Sequence, residues 1–203
     1  MKHFLYKILT SSLRRIIGLF YIKYNRILFT LAGINYGKNL RIINKVYLTK
    51  ERKSNIIIGD DFIFTSGAAI NPLSRNIRGC IYAKQNAQII IGDNVGISSA
   101  CLWANSFIKI GNNVKIGGDC IIIDTDAHSL DYINRRTSHN DRLDTHNAPI
   151  IIEDDVLIGT RCIILKGVTI GARSVIGAGS VITKNIPADC IAAGNPAKVI
   201  KQG

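Results

Sequence analysis

His128 follows Asp124 and Asp126 and precedes Asp131, so one imidazole stands within four residues of three carboxylates. An imidazole titrates near neutral pH and can take a proton from a hydroxyl as that hydroxyl attacks. General-base assistance of this kind is worth roughly 10²–10⁴ in rate. A carboxylate beside the ring would orient it and stabilise its charged form, as the Asp of a hydrolase triad does. Asp126, Asp124 and Asp131 are the candidates, in that order. A lone histidine is more often a structural one, so the case for chemistry depends on the elements around it.

Those elements repeat every six residues. Ile152, Ile158, Ile164, Ile170, Ile176 and Ile182 form an unbroken register, with Gly directly after three of them at 159, 171 and 177. Ile91, Ile97 and Trp103 form an earlier block. After a seven-residue step the register resumes at Ile110, Ile116 and Ile122, and a weaker run is Ile58, Phe64 and Ile70. A helical stripe recurs every 3.6 residues, so a six-residue step would swing it by about 240°. A plain strand alternates every two. Short strands separated by turns satisfy the pattern: three hexads, about eighteen residues, close one coil, and coils stack as a solenoid. Gly92-Asp93-Asn94 and Gly111-Asn112-Asn113 supply turns. The slot four residues after each Ile faces a narrow interior, which suits Cys101, Cys120, Cys162 and Cys190 as small apolar fillers.

The rhythm fails after Ile122. The next inward slot would fall on Asp126, and a lone carboxylate in a dry core costs several kcal/mol. The coil must therefore deviate over 124–128. Residues 129–148 follow, with Arg135, Arg136, Arg142, Asp131, Asp141, Asp144, His139 and His146, before Pro149 and a renewed hexad at Ile152. A long insertion in a compact domain is either functional or a solvated loop. Its coincidence with His128 favours function.

Six motifs carry a family resemblance. They are Ile91-Gly-Asp-Asn-Val95, Ile110-Gly-Asn-Asn-Val114, the run from Asp124 to Asp131, Gly167-Val-Thr-Ile-Gly171, Ile176-Gly-Ala-Gly-Ser-Val-Ile-Thr-Lys184 and Gly194-Asn-Pro-Ala-Lys-Val-Ile200. With them the chain resembles the hexapeptide-repeat acyltransferases over about residues 91–203, and within these the O-acetyltransferases of galactosides, maltose, nodulation factors and surface polysaccharides. The resemblance implies an all-β, left-handed parallel β-helix. It implies a homotrimer that moves an acetyl group from acetyl-CoA directly to a sugar or glycan hydroxyl, with His128 as the base and no metal. Asp131 matches the family's H-x-x-D. The acetyl-CoA groove would run past Thr160, Ala178, Thr183, Lys184, Lys198 and Lys201, the lysines facing phosphates where the family often has Arg. Ser98 and Asn105 fall near the family's acceptor-side Asn and Asp, and Asp124 is a third acceptor-side candidate. Ser98 and Asn105 differ from the family residues, so the acceptor stays open. N-acetylation of an amino sugar is the near alternative. A zinc hydratase would need histidines on neighbouring coils, whereas His128, His139 and His146 crowd one loop. A non-enzymatic β-helix is the third option.

Charge divides the chain. Residues 1–53 hold twelve Lys and Arg against Glu51 alone, whereas 54–203 hold fourteen against thirteen Asp and Glu. A nearly neutral body argues against nucleic-acid binding. The five cysteines form no C-x-x-C pair, which argues against a zinc cluster. Residues 1–33 read as a basic amphipathic helical segment ahead of a β-helix domain over 34–203, with Gly33 as its cap. The segment would either adsorb to anionic lipid, or else cap the open first coil or pack between subunits. No secretory signal or spanning segment is legible, so the expected location is cytoplasmic, with contact at the inner face of the membrane through residues 1–33.

Overall fold

The hexads become strands that stack in three parallel sheets. The structure, a computed structural model, describes the backbone of residues 2–67, 73 and 77–203 and, within these, the side chains from Ile16 onward. The first sheet runs Asn35–Tyr36 (β1), Asn55–Ile58 (β4), Gln88–Ile91 (β7), Phe107–Ile110 (β10), Ile150–Ile152 (β13) and Thr169–Ile170 (β16). The second runs Arg41–Ile43 (β2), Ile63–Thr65 (β5), Gly96–Ser98 (β8), Lys115–Ile116 (β11), Leu157–Ile158 (β14), Val175–Ile176 (β17) and Cys190–Gly194 (β19), closed by antiparallel Ala197–Gln202 (β20). The third holds Tyr47–Lys50 (β3), Cys80–Ala83 (β6), Cys101–Ala104 (β9), Ile121–Ile123 (β12), Ile163–Leu165 (β15) and Val181–Ile182 (β18). The chain visits the sheets in turn, as a left-handed parallel β-helix does.

The predicted isoleucine column lies inside. Ile116, Ile158 and Ile176 align across the second sheet, and Ile122, Ile164 and Ile182 across the third, all buried. Each fully buried Ile contributes about 1.5–3 kcal/mol. Ile58 and Phe64 are buried too, while Ile70 lies outside the described residues.

One stretch departs from the expected register. Ala100 and Leu102, both fully buried, take the slots expected for Cys101 and Trp103. Leu102, not Trp103, aligns with Ile122. The turn that ends at Ala100 is one residue short, with Ser99 at φ 44°, and a one-residue slip turns each side chain to the opposite face. Trp103 therefore points outward and stacks on Tyr82, ring centroids 4.4 Å apart. The Tyr82 hydroxyl donates to Glu51, and that carboxylate raises the Tyr82 pKa to about 12. Cys101 sits outside beside Cys80, while Cys120, Cys162 and Cys190 fill the interior as expected.

The turns divide their labour between residue types. Asn94 and Asn113 take the left-handed conformation, at φ 54° and 60°. Gly111 is required for close stacking instead: a Cβ there would lie 2.8 Å from the backbone of the next coil.

Helix α1 (Lys2–Leu31) lies across the open first coil. Asn25 Nδ2 donates to Ile42 O at 2.9 Å and Asn44 O at 3.0 Å, and Arg26 Nε donates to Leu40 O at 3.0 Å. It thereby satisfies carbonyls that the first coil would otherwise leave unpaired. Gly33 follows the helix at φ 63°.

Candidate active site

The insertion is folded rather than irregular. A 3-10 turn at Asn134–Arg136 leads into helix α2 (Ser138–Leu143), which Thr137 caps by accepting from Asn140 N. The insertion is clamped at its root by buried Ser129. The Ser129 hydroxyl donates to Asp144, Asn134 Nδ2 donates to the same carboxylate oxygen at 3.1 Å, and Arg135 Nη1 donates to Ser129 O at 2.6 Å. The Ser129 hydroxyl, then the Asn134 amide, hold Asp144 below the usual carboxylate range.

Folding α2 back brings Asp141 to His128. His128 Nδ1 and Asp141 Oδ2 are 2.7 Å apart, and Asp141 Oδ1 accepts from Ser129 N at 2.7 Å. The imidazole, followed by that N–H, holds Asp141 below the usual carboxylate range. An ionised Asp141 accepts the Nδ1–H, so the free lone pair of the ring is on Nε2. The His128 side chain is 70% exposed. Ala127 before it adopts φ 63°, a left-handed conformation uncommon for a residue with a Cβ.

The three expected carboxylates go elsewhere. Asp124 is fully buried and accepts from Asn105, Ser106 and Phe107 N–H groups, each at 2.7 Å. Burial pushes its carboxyl up, against three N–H donors that favour the charge. It closes the turn between β9 and β10 and is out of reach of an acceptor, which corrects the acceptor-side expectation for Asp124. Asp126, expected first as the ring's partner, pairs with Lys166 Nζ at 3.0 Å instead. Asp131 accepts from Ile133 N at 2.7 Å and shapes its own turn. The sequence named Asp141 only as one charge of the loop and did not single out Lys166. A lone residue thirteen positions from His128 leaves no periodic signal.

Asn105 lies at the same corner of the coil. Its Oδ1 accepts from Trp103 Nε1 at 3.1 Å and its Nδ2 donates to Thr125 Oγ1 at 3.2 Å. With Lys84, Ala127, Arg142, Thr145 and Asn147 it lines a cleft of about 220 Å³, to which Ala127 brings the chain one residue before His128. Ser98 does not line this cleft; on β8 its hydroxyl meets Thr65 Oγ1 at 3.0 Å.

The six donor-side residues divide between places. Thr160 and Ala178 stack at the corner between the second and third sheets, where Gly179 N donates to Thr160 O at 2.8 Å. Glycine is required there: a Cβ at Gly117 would lie 2.6 Å from Thr160 N, and one at Gly159 2.6 Å from Ala178 N. Lys198 pairs with Ala193 near that corner. Thr183 and Lys184 follow β18 at the opposite end of the third sheet, the corner from which the His128 loop springs. Lys201 lines a separate hollow with Arg173 and Asp189. Among the described residues no group of three His, Cys, Asp or Glu is placed to hold a metal ion.

Residues 149–184 match the family described as the hexapeptide repeat of succinyl-transferase. Over these residues the chain carries that family's hexapeptide repeat. Its resemblance to the hexapeptide-repeat acyltransferases, read from the motifs, is borne out. It is similar to a maltose O-acetyltransferase from Clostridium difficile 630 at 27% identity and TM-score 0.54, covering 96% of this chain and 84% of that one. It is similar to the polySia specific acetyltransferase NeuO at 26% identity and TM-score 0.56, covering 83% and 81%. Over 55 residues it is 53% identical to a 2,3,4,5-tetrahydropyridine-2,6-dicarboxylate N-acetyltransferase of Staphylococcus aureus, 27% of this chain and 23% of that one. The chain spans less than half the length of these curated relatives.

Proposed function

We propose that this protein is an acetyl-CoA-dependent O-acetyltransferase acting on a hydroxyl of a sugar or surface-polysaccharide precursor. The observation that carries the reading is the His128–Asp141 pair at 2.7 Å, on an exposed ring one residue along from the Ala127 that lines a polar cleft. His128 Nε2 takes the acceptor's hydroxyl proton as its oxygen attacks the thioester carbonyl. Asp141 holds the tautomer and stabilises the imidazolium. The tetrahedral intermediate then expels the CoA thiolate, which takes the proton back from His128. Asn105 and its cleft suit a polar, hydroxyl-rich acceptor.

Thr160, Ala178 and Lys198 serve the acetyl-CoA arm and phosphates, with Thr183, Lys184 and Lys201 as further contacts. Within one chain, Thr160 and Ala178 are separated from His128 by the width of the third sheet. A homotrimer would close that gap by setting one subunit's groove against the next subunit's loop. Exposed Leu130, Tyr132, Ile133 and Leu143 on that loop suit such a neighbour.

The similarity over 96% of this chain to a maltose O-acetyltransferase supports a sugar hydroxyl. The local match to an N-acetyltransferase supports the second reading, an amine acceptor. An acceptor screen of free sugars, nucleotide sugars and lipid-linked oligosaccharides, read by CoA release, tests both. An O-acetyl product is cleaved by mild alkali and an amide is not. Turnover that survives His128→Ala undiminished would refute the mechanism.

A further inference from the structure

Helix α1 uses only one of its two apolar faces on the β-helix. Gly18, Asn25 and Phe29 are buried against the first coil. At about 100° per residue, Ile16, Phe20, Tyr24, Ile27 and Leu31 fall within an arc of about 80° on the opposite side. They are 64%, 62%, 46%, 62% and 81% exposed. The rings of Phe20 and Tyr24 stack along this stripe, 6.3 Å apart. A stripe of five large apolar side chains is more than a soluble surface leaves open without a partner.

The charge of the helix identifies the partner. Lys2, Lys7, Arg14, Arg15 and Lys23 lie on α1 together with Arg26, which is held by Leu40 O, and no acid occurs before Glu51. A second copy of the same helix laid against the stripe would bring like charges together. An anionic lipid surface complements both features, taking the apolar stripe into the acyl boundary and attracting the net positive helix, with exposed Lys23 bordering the stripe at the headgroups. No described helix is long and apolar enough to cross a membrane, so α1 would lie in the plane of the surface. We infer that the outer face of α1 is a docking surface for an anionic membrane, while its inner face caps the first coil. This stands apart from acetyl transfer, and its test reads no turnover.

The experiment is co-sedimentation of the full chain with vesicles of phosphatidylcholine containing about 30% phosphatidylserine, and with phosphatidylcholine alone. The protein is expected to pellet with the anionic vesicles and to be released by added salt. Phe20→Glu with Ile27→Glu touches only the outer stripe and is expected to weaken partitioning about tenfold or more at an unchanged melting temperature. Lys23→Glu, which leaves the stripe apolar, is expected to weaken it several-fold and serves if the double variant does not fold. Wild-type protein that stays in solution with anionic vesicles, or variants that pellet as fully as wild type, would overturn the inference. So would wild type ignoring vesicles while the double variant breaks a soluble oligomer in light scattering, since a second copy would then cover the stripe.

Discussion

Asp141 holds the imidazole of His128 at 2.7 Å from thirteen residues further along the chain, and it reaches the ring only because α2 folds back over the coil. Asp141→Asn would let the ring take the other tautomer. We expect kcat to fall by about 10²-fold or more with KM for acetyl-CoA little changed, against a loss of up to about 10⁴-fold for His128→Ala. Steady-state kinetics of the two variants checks this, and equal losses in KM would place Asp141 in binding instead.

The same pair has a pH consequence. Asp141's carboxyl is held below its unfolded value, by His128 first and the Ser129 N–H next. A lowered carboxylate contributes stability that is present above the unfolded pKa of about 3.9 and is lost as pH falls through the folded value. The loop should therefore stay clamped through the neutral range and loosen only under acid, below about pH 4. Hydrogen exchange at Ser129 N against pH would show it, and loosening already near pH 6 would contradict it.

Asp124→Ala should act on stability and not on acceptor recognition. It would leave the N–H groups of Asn105, Ser106 and Phe107 without their acceptor at a buried turn. We expect a loss of about 3 kcal/mol or more, measured by denaturant unfolding. An unchanged midpoint would return Asp124 to the acceptor side.

Lys166→Met should strand the Asp126 carboxylate, which Lys166 now pairs at 3.0 Å. The expected cost is about 1–3 kcal/mol, largely restored by adding Asp126→Asn. Full activity in that stable double variant would show that Asp126 anchors the loop; a hundredfold loss would return it to catalysis.

Ala178→Phe fills the corner beside Thr160 and should raise KM for acetyl-CoA about tenfold, with kcat at saturation little changed. Tyr132→Glu with Leu143→Glu should break the proposed trimer in light scattering and lower kcat/KM, because donor groove and base then come from separate molecules.

Legibility followed distance along the chain. The weight of Ile at every sixth position predicted the β-helix and its interior because each hexad repeats one local rule. Even its one slip, which expected Cys101 and Trp103 where Ala100 and Leu102 are buried, came from a local cause, a turn one residue short. The break at 124–128 located the site for the same reason, since a carboxylate had no place in the next slot. Asp124, Asp126 and Asp131 were the natural partners for His128 by proximity alone, and each has other bonds to make.

The sequence by itself determined the coil, its aliphatic interior, the point of interruption and the basic character of the N-terminal helix, all of them carried by local pattern. Only the tertiary structure decided that Asp141 and not Asp126 meets His128, that Lys166 takes Asp126, and which face of α1 is spent on the first coil. Those pairings depend on how an aperiodic loop closes and on which side of a helix finds a surface. Neither is set by neighbours in the chain, because closure is chosen by the sum of distant contacts around Ser129 and along the first coil.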